Sequence, residues 1–139
     1  MKKDDTSTLS SLGSQGAKYR YEDPDVDLLE TFPNQYPERD YITEFVFNEF
    51  SSLCPKTHQP DFAVITVRYI PDQLCIETKS LKTYYLAFRQ HGSFMETLTN
   101  KILEDLVSVC KPRWMAVTSN FNARGGTLIN VEAVYDATS

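Results

Sequence analysis

Alternation of apolar and polar residues predicts strands in the first half of the folded chain. Aromatic and β-branched residues alternate with polar ones from Ile42 to Phe50 and again from Phe62 to Ile70. A period of two residues is typical of a strand whose two faces meet different surroundings. A shorter extended piece, Leu74 to Glu77, follows the turn at Pro71-Asp72 and is predicted to continue the same sheet.

The period changes to that of α-helices after Ser80. The first helix is predicted from four residues at helical spacing: Leu81, Tyr84, Tyr85 and Phe88. The second is predicted from Leu98, Ile102, Leu106 and Val109. Ser93 and Glu96 match a capping box at its start, and Pro112 ends it. His91-Gly92 breaks the chain between the two helices.

Two more alternating segments, Trp114 to Phe121 and Thr127 to Tyr135, predict a final pair of strands. Gly125-Gly126 between them supplies the positive φ angles that a tight hairpin requires. The order ββααββ with hairpin connections predicts an α+β fold, an antiparallel four-stranded sheet with two helices on one face. The other face of the sheet then needs a cover, for which further copies of the chain are candidates.

Composition narrows the setting of this fold. Residues 1 to 20 are polar and rich in Ser and Gly, which predicts a disordered tail before a single domain over residues 21–139. The chain of 139 residues has a net charge of −5 and lacks a basic stripe, so we expect no nucleic-acid partner. We expect no membrane partner either, because no apolar run approaches the length of a membrane span, and no secretory signal is recognisable.

The metal-ligating residue types are few. Cys54, Cys75 and Cys110 are odd in number and widely spaced, a pattern of free thiols in a reducing cytoplasm. The two histidines, His58 and His91, lack further ligands at metal-binding spacing, so no metal site is predicted.

Cys54 and Asp61 are the first candidates for chemistry. Both lie in a loop between two strands, and its two prolines can fold the carboxylate back toward the thiol. A thiol next to a carboxylate suits nucleophilic attack with proton transfer. On composition alone, the structural alternatives are favoured: Cys54 as a small buried residue and Asp61 as the cap of a turn.

A second group of candidates carries charge. The segment from Glu77 through Thr78, Lys79 and Ser80 to Lys82 combines a carboxylate, hydroxyls and two cations at a strand-to-helix junction. Such a junction can bind phosphate, and ordinary solvated charge is the alternative. Arg124 in the glycine turn can bind an anion or serve only the hairpin. Glu96 can cap a helix or hold the N–H edge of a guanine-like ring.

Together these segments resemble one family. The loop from Ser52 to Ala63 is similar to the signature loop of the QueF-type nitrile reductases of queuosine biosynthesis, and Glu77 to Tyr84 resembles that family's NADPH motif. Phe88 to Gly92 and Arg124 to Gly126 resemble further family segments, so that the match runs from about Phe32 to Tyr135. The resemblance implies the tunnelling fold, with short chains assembled into stacked rings, a decamer of two pentamers, and with active sites between subunits.

The resemblance also implies residue roles. Cys54 attacks the nitrile of 7-cyano-7-deazaguanine to form a thioimide, and Asp61 delivers a proton to the nitrile nitrogen. Substrate-binding roles fall on four residues: Glu77, Glu96, Thr78 and His91. Contacts to NADPH phosphates and neighbouring atoms fall on Lys79, Ser80, Lys82 and Arg124. Two NADPH molecules complete the four-electron reduction to the amine.

The sequence departs from the family pattern at Met95, where a histidine usually precedes the anchoring Glu96. A thioether neither donates a hydrogen bond nor relays a proton, and His91 or His58 are candidates to compensate. Two alternatives therefore stay open: an amidine-forming enzyme that acts on a nitrile base, and a purine- or pterin-binding member that does not reduce. Thr78 and Thr83 also replace more usual residues.

Overall fold

The computed structural model describes residues 19–139, so that the predicted tail lies almost entirely outside the described residues. A short 3-10 turn, Val26–Leu28, comes first. The strands are β1 Thr31–Pro33, β2 Thr43–Leu53, β3 Pro60–Ile70, β4 Leu74–Ile76, β5 Trp114–Phe121 and β6 Asn130–Asp136. The helices are α1 Thr78–Leu86 and α2 Met95–Cys110, and both precede β5.

The main sheet has four antiparallel strands in the order β2-β3-β5-β6. The predicted order of strand, strand, helix, helix, strand, strand is therefore confirmed, and so is the α+β class. A bulge between Phe47 and Phe50 shifts the β2–β3 register. Because a bulge adds a residue to one strand, the end of β2 that leads into the Cys54 loop twists away from the regular pleat.

The helices lie on one face of this sheet. Along β3 the residues that face the helices, Ala63, Ile65, Val67 and Tyr69, are buried in the core. Their neighbours on the other face include Phe62, which is 53% exposed. Val46 of β2 and Val134 of β6 share that uncovered face through the strand register and are also more than half exposed. The sheet thus has one buried face and one face that carries exposed apolar side chains.

The prediction that Leu74 to Glu77 continues this sheet is wrong. Leu74–Ile76 instead pairs with Thr31–Pro33 in a separate two-stranded antiparallel sheet. The hydroxyl of Tyr69 accepts the Ile76 N–H at 2.9 Å, and so takes a donor that a strand of the main sheet would have used. The small sheet anchors the N-terminal segment beside α1, because the Glu77 N–H donates to the Glu30 carbonyl at 3.0 Å.

The predicted capping box at Ser93 is also wrong. α2 begins one residue later than such a cap would place it, with Phe94 as N-cap and no side-chain cap. The Ser93 N–H donates to the Leu53 carbonyl at 3.1 Å, which ties this residue to the loop after β2. The hairpin prediction is confirmed, since Gly125 and Gly126 have φ values of 56° and 77°.

Candidate active site

A cleft of about 290 Å³ lies at one end of the main sheet. It is lined by Cys54, Pro55, Asp61, Ser93, Phe94, Met95, Glu96, Arg124 and Ile129. The β2–β3 loop, the start of β3, the N-terminus of α2 and the β5–β6 hairpin each contribute to it. The structure therefore brings together four of the residues predicted from sequence: Cys54, Asp61, Glu96 and Arg124.

The loop that carries Cys54 is closed by its own backbone. The Cys54 N–H donates to the Gln59 carbonyl at 2.8 Å, and the His58 N–H donates to the Cys54 carbonyl at 3.0 Å. The backbone of His58 adopts a left-handed φ of 59°, which completes the turn. The structure thus shows a backbone role for His58 in shaping the loop. The hydrogen bond from the Thr57 side chain lowers the pKa of the Cys54 thiol, and the amides of Thr57 and Lys56 lower it further. These donors favour the nucleophilic thiolate.

The segment before α2 seats this loop. The Leu53 N–H donates to the His91 carbonyl at 3.1 Å, and the Leu53 carbonyl accepts from Ser93. Gly92 lies between these two contacts, and a Cβ at Gly92 would come within 3.3 Å of the Pro55 Cα. Glycine at this position allows the two backbones to approach closely. His91 contributes its backbone here, while its ring packs edge-on against Phe88 and burial lowers the pKa of the imidazole.

Asp61 is the buried charge of the cleft. Its residue is 4% exposed, and its carboxylate forms an ion pair with the guanidinium of Arg124. Arg124 also donates to the Gln59 side chain at 2.8 Å. Arg124 is thus placed against the carboxylate and the Cys54 loop, whereas the sequence resemblance had assigned it to cofactor phosphates. The negative charge of Asp61 opposes the lowering of the Cys54 pKa.

Glu96 stands in the first turn of α2, where the helix dipole favours a carboxylate. Met95 precedes it and lines the same cleft, together with the apolar side chains of Phe94 and Ile129. The cleft therefore combines an apolar wall, which suits the faces of a flat aromatic ring, with a carboxylate that can accept two N–H groups.

The remaining predicted site residues lie around α1, away from Cys54 in the same chain. Glu77 caps this helix by accepting the N–H groups of Lys79 and Ser80 at 2.8 and 2.7 Å, and these bonds lower the pKa of its carboxyl. The Ser80 hydroxyl is buried and donates to the Glu77 carbonyl. Thr78 opens the helix and contacts a small cleft under β2. These polar groups thus hold the helix start in place.

A larger cleft of about 630 Å³ lies beside α1. It is lined by Tyr19, Tyr21, Lys79, Lys82, Thr83, Leu86 and Arg89. Sequence reasoning found the two lysines but missed Arg89 and the two tyrosines. Arg89 follows Lys82 by seven residues, a helical spacing that was available as a signal. The tyrosines fall outside any helical pattern and reach the cleft only through the tertiary fold.

Residues 19–139 contain neither a cluster of metal-ligating side chains nor a helix that could span a membrane. In that part of the chain no three His, Cys, Asp or Glu side chains are grouped so that they would hold a metal ion. The helices there are also too short or too polar to cross a membrane.

Comparisons with known proteins identify the family. The family model described as QueF-like protein matches residues 60–139. An NADPH-dependent 7-cyano-7-deazaguanine reductase of Nitratidesulfovibrio vulgaris (strain DP4) is 53% identical over 130 residues, 94% of this chain and 78% of the relative. A reductase of the same name from Chloroherpeton thalassium is 58% identical over 111 residues, 80% of this chain and 96% of the relative.

A solved structure gives the same fold. The apo form of the archaeosine synthase QueF-Like superposes with a TM-score of 0.63 and 22% identity, and the match covers 67% of this chain and 91% of that one. At this identity the likeness concerns the fold alone. The sequence matches carry the assignment: this chain belongs to the QueF-like family, together with the curated 7-cyano-7-deazaguanine reductases to which it is similar.

Proposed function

We propose that this chain reduces the nitrile of 7-cyano-7-deazaguanine to the aminomethyl base in queuosine biosynthesis, through a thioimide at Cys54. The observation that carries this proposal is the single cleft that contains Cys54, Asp61 and Glu96. It offers a thiol with a lowered pKa, a buried carboxylate beside it, and a second carboxylate for the base. A free thiol of this kind fits the reducing cytoplasm.

The chemistry begins with bond formation at sulfur. The Cys54 thiolate attacks the nitrile carbon, so that a C–S bond forms while one π bond of the C≡N group breaks. The nitrile nitrogen gains a proton and a thioimide results. Asp61 moves that proton from the thiol to the nitrogen, a role supported by its carboxylate, which shares the cleft with the thiol and is paired with Arg124.

Full reduction of the nitrile consumes two hydrides and two protons per molecule of amine. NADPH, when bound, supplies the hydrides. The cleft beside α1 fits the charge of this cofactor, since Lys79 and Lys82 line it and its volume is within the range of ligand pockets. Glu96 holds the base by accepting ring N–H groups, and the wall of Phe94, Met95 and Ile129 excludes water from one side.

The site is completed by neighbouring copies in a ring, for which we propose the decamer of two stacked pentamers and the tunnelling fold. Support comes from the exposed apolar residues Val46, Phe62 and Val134 on the uncovered sheet face. The Cys54 cleft and the α1 cleft share no lining residue, which supports a site in which a second copy brings its α1 cleft to Cys54. Mixed assemblies of Cys54→Ala and Lys82→Gln subunits should regain activity, and native mass spectrometry should give ten chains.

Intact-mass spectrometry tests the chemistry. The nitrile base alone should add its full mass to the protein, and the adduct should disappear when NADPH is added, with release of the amine. Cys54→Ala should abolish the adduct, whereas Cys75→Ala is the matched control because that thiol is buried outside the cleft. Absence of an adduct on the unmodified protein, with the base bound, would refute the proposed mechanism.

The same experiment decides between reduction and mere capture of the base. Met95 lines the cleft beside Glu96 and cannot relay a proton, which is the observation in favour of a member that does not reduce. A persistent adduct after NADPH addition would support that second function. Addition of ammonia to the nitrile, with an amidine as product, would instead support the amidine-forming alternative.

A further inference from the structure

A serine at the end of β2 has a buried hydroxyl to which the mechanism above gives no role. Ser52 lies two residues before Cys54 and is 0% exposed. Its Oγ has no hydrogen-bond partner in the part of the chain that the structure describes, residues 19–139. A buried hydroxyl without a partner destabilises the fold, so its presence in a strand core needs an explanation.

Ser52 is the cross-strand neighbour of Asp61. The register of β2 and β3 places these two residues directly opposite each other. Opposite residues of an antiparallel pair point to the same face of the sheet, and their Cβ atoms lie about 4.5–5.5 Å apart. Rotation about the Cα–Cβ bond of Ser52 can therefore bring its hydroxyl within hydrogen-bond reach of the Asp61 carboxylate.

The Asp61 carboxylate can accept this second donor. The Arg124 guanidinium donates to Oδ1, and a carboxylate accepts hydrogen bonds on both of its oxygens. The ion pair with Arg124 weakens when the carboxylate takes up a proton, because the negative charge is then lost. A neutral hydroxyl still donates to the carbonyl oxygen of the protonated carboxyl group. Ser52 is therefore suited to hold Asp61 in both protonation states.

Ser52 lies behind the cleft that contains Cys54. Cys54 and Asp61 line that cleft, whereas Ser52 does not. The next residue, Leu53, exchanges backbone hydrogen bonds with His91 and Ser93, so that the end of β2 is fixed. Ser52 can thus contact the Asp61 carboxylate but not a base bound in the cleft.

We propose that the Ser52 hydroxyl is a positioning residue, which donates to the Asp61 carboxylate while this group moves a proton to the nitrile nitrogen. The inference rests on the proposed function, because the proton moves in the step that forms the Cys54 thioimide. In that step the C–S bond forms, one π bond of the nitrile breaks, and the thiol proton passes through Asp61 to the nitrogen. Ser52 gains and loses no atom, and it keeps the carboxyl group oriented between the thiol and the nitrogen.

Two reactions of Cys54 test this role in the full-length protein. Addition of the nitrile base requires a proton on the nitrogen, whereas alkylation by iodoacetamide, at a pH where its rate is maximal, requires only the thiolate. Ser52→Ala should slow formation of the nitrile adduct at saturating base by about tenfold. The alkylation rate should be unchanged, and so should the affinity for the base, measured by calorimetry in a Cys54→Ala background.

Two outcomes of this comparison would overturn the proposal. An unchanged rate of adduct formation in Ser52→Ala would show that Asp61 does not need the hydroxyl. Equal slowing of adduct formation and alkylation would show that Ser52 only shapes the loop that carries Cys54.

Ser119→Ala is the matched control. Ser119 is also a strand serine with 0% exposure, but its hydroxyl is hydrogen-bonded to that of Thr99 at 2.9 Å and lies outside the Cys54 cleft. Ser119→Ala should lower the melting temperature and leave adduct formation unchanged. Ser52→Ala should keep or raise the melting temperature, because its hydroxyl has no partner to lose among residues 19–139. A fall as large as that of Ser119→Ala would overturn the proposal, since the Ser52 hydroxyl would then have a structural partner.

The unmodified protein separates this inference from the proposed function. If the unmodified protein binds the nitrile base and forms no adduct at Cys54, the proposed function fails. If it forms the adduct and Ser52→Ala forms it at the same rate, only the role of Ser52 fails.

Discussion

Two adjacent tyrosines of α1 should respond to the same substitution with opposite changes in stability. Tyr84 and Tyr85 are both buried in the core. The Tyr84 hydroxyl donates to the Asp105 carboxylate at 2.6 Å. The Tyr85 hydroxyl is buried and has no hydrogen-bond partner within the described residues 19–139. Replacement of either tyrosine by Phe removes one hydroxyl oxygen from the same helix. The two substitutions differ in whether that hydroxyl has a hydrogen-bond partner.

The magnitudes follow from these partners. A hydrogen bond to a charged group contributes about 1.5–3 kcal/mol, so Tyr84→Phe should lower the free energy of unfolding by about 2 kcal/mol. Burial and the nearby carboxylate of Asp105 raise the Tyr84 pKa, which keeps the hydroxyl a donor at neutral pH. A buried hydroxyl without a hydrogen-bond partner lowers the free energy of unfolding by about 1–3 kcal/mol. Its removal recovers this stability, but the small void that it leaves offsets part of the recovered amount. Tyr85→Phe should therefore stabilise the fold by about 1 kcal/mol.

Urea denaturation at one fixed protein concentration measures both variants against the unmodified chain. We expect the two free energies of unfolding to differ by about 3 kcal/mol, with the unmodified protein between them. In thermal scans each kcal/mol corresponds to about 3–4 °C for a chain of this size. Loss of 1 kcal/mol or more in Tyr85→Phe would refute the reasoning, because it would mean that the Tyr85 hydroxyl has a partner, such as a neighbouring subunit.

Two further predictions concern the Cys54 loop. Thr57→Val removes the strongest hydrogen-bond donor to the thiolate and should raise the pKa of Cys54. The pH at which alkylation by iodoacetamide reaches half its maximal rate should then move upward. An unchanged pH profile would argue against this donor. Gly92→Ala forces Pro55 to move by a few tenths of an ångström. This shift should slow formation of the Cys54 adduct several-fold with little change in melting temperature. An unchanged rate would show that the loop accommodates the methyl group.

Local patterns predicted the main sheet well because its strands have one buried and one open face. In β3 the alternation separates Phe62 from Ala63 on opposite faces, as their exposure confirms. The small sheet escaped prediction because three-residue strands carry no period. Its second strand is also held by a tertiary contact, since the Ile76 N–H donates to the Tyr69 hydroxyl.

Helix starts show the same limit. Ser93 and Glu96 have the spacing of a capping box, yet the Leu53 carbonyl holds the Ser93 N–H and the helix begins after Phe94. A side chain does cap α1, and it is Glu77, which sequence reasoning assigned to the substrate instead. Which residue caps a helix depends on the other hydrogen-bond partners that compete for its backbone. The spacing of residues along the chain does not reveal those partners.

In the candidate site, too, the contacts between residues close in sequence were predicted and those between distant residues were not. Asp61 falls near Cys54 because β2 and β3 are joined by one closed loop, a neighbourhood that spacing predicts. Arg124 reaches Asp61 across 63 residues, through the register of three strands, and its pairing was therefore not predictable. The ion pair places a guanidinium of the same chain against the Asp61 carboxylate, in the cleft that also contains Cys54. Lys79 and Lys82, the other cations that the resemblance assigned to the cofactor, line the separate cleft beside α1, where spacing along one helix is enough to bring them together.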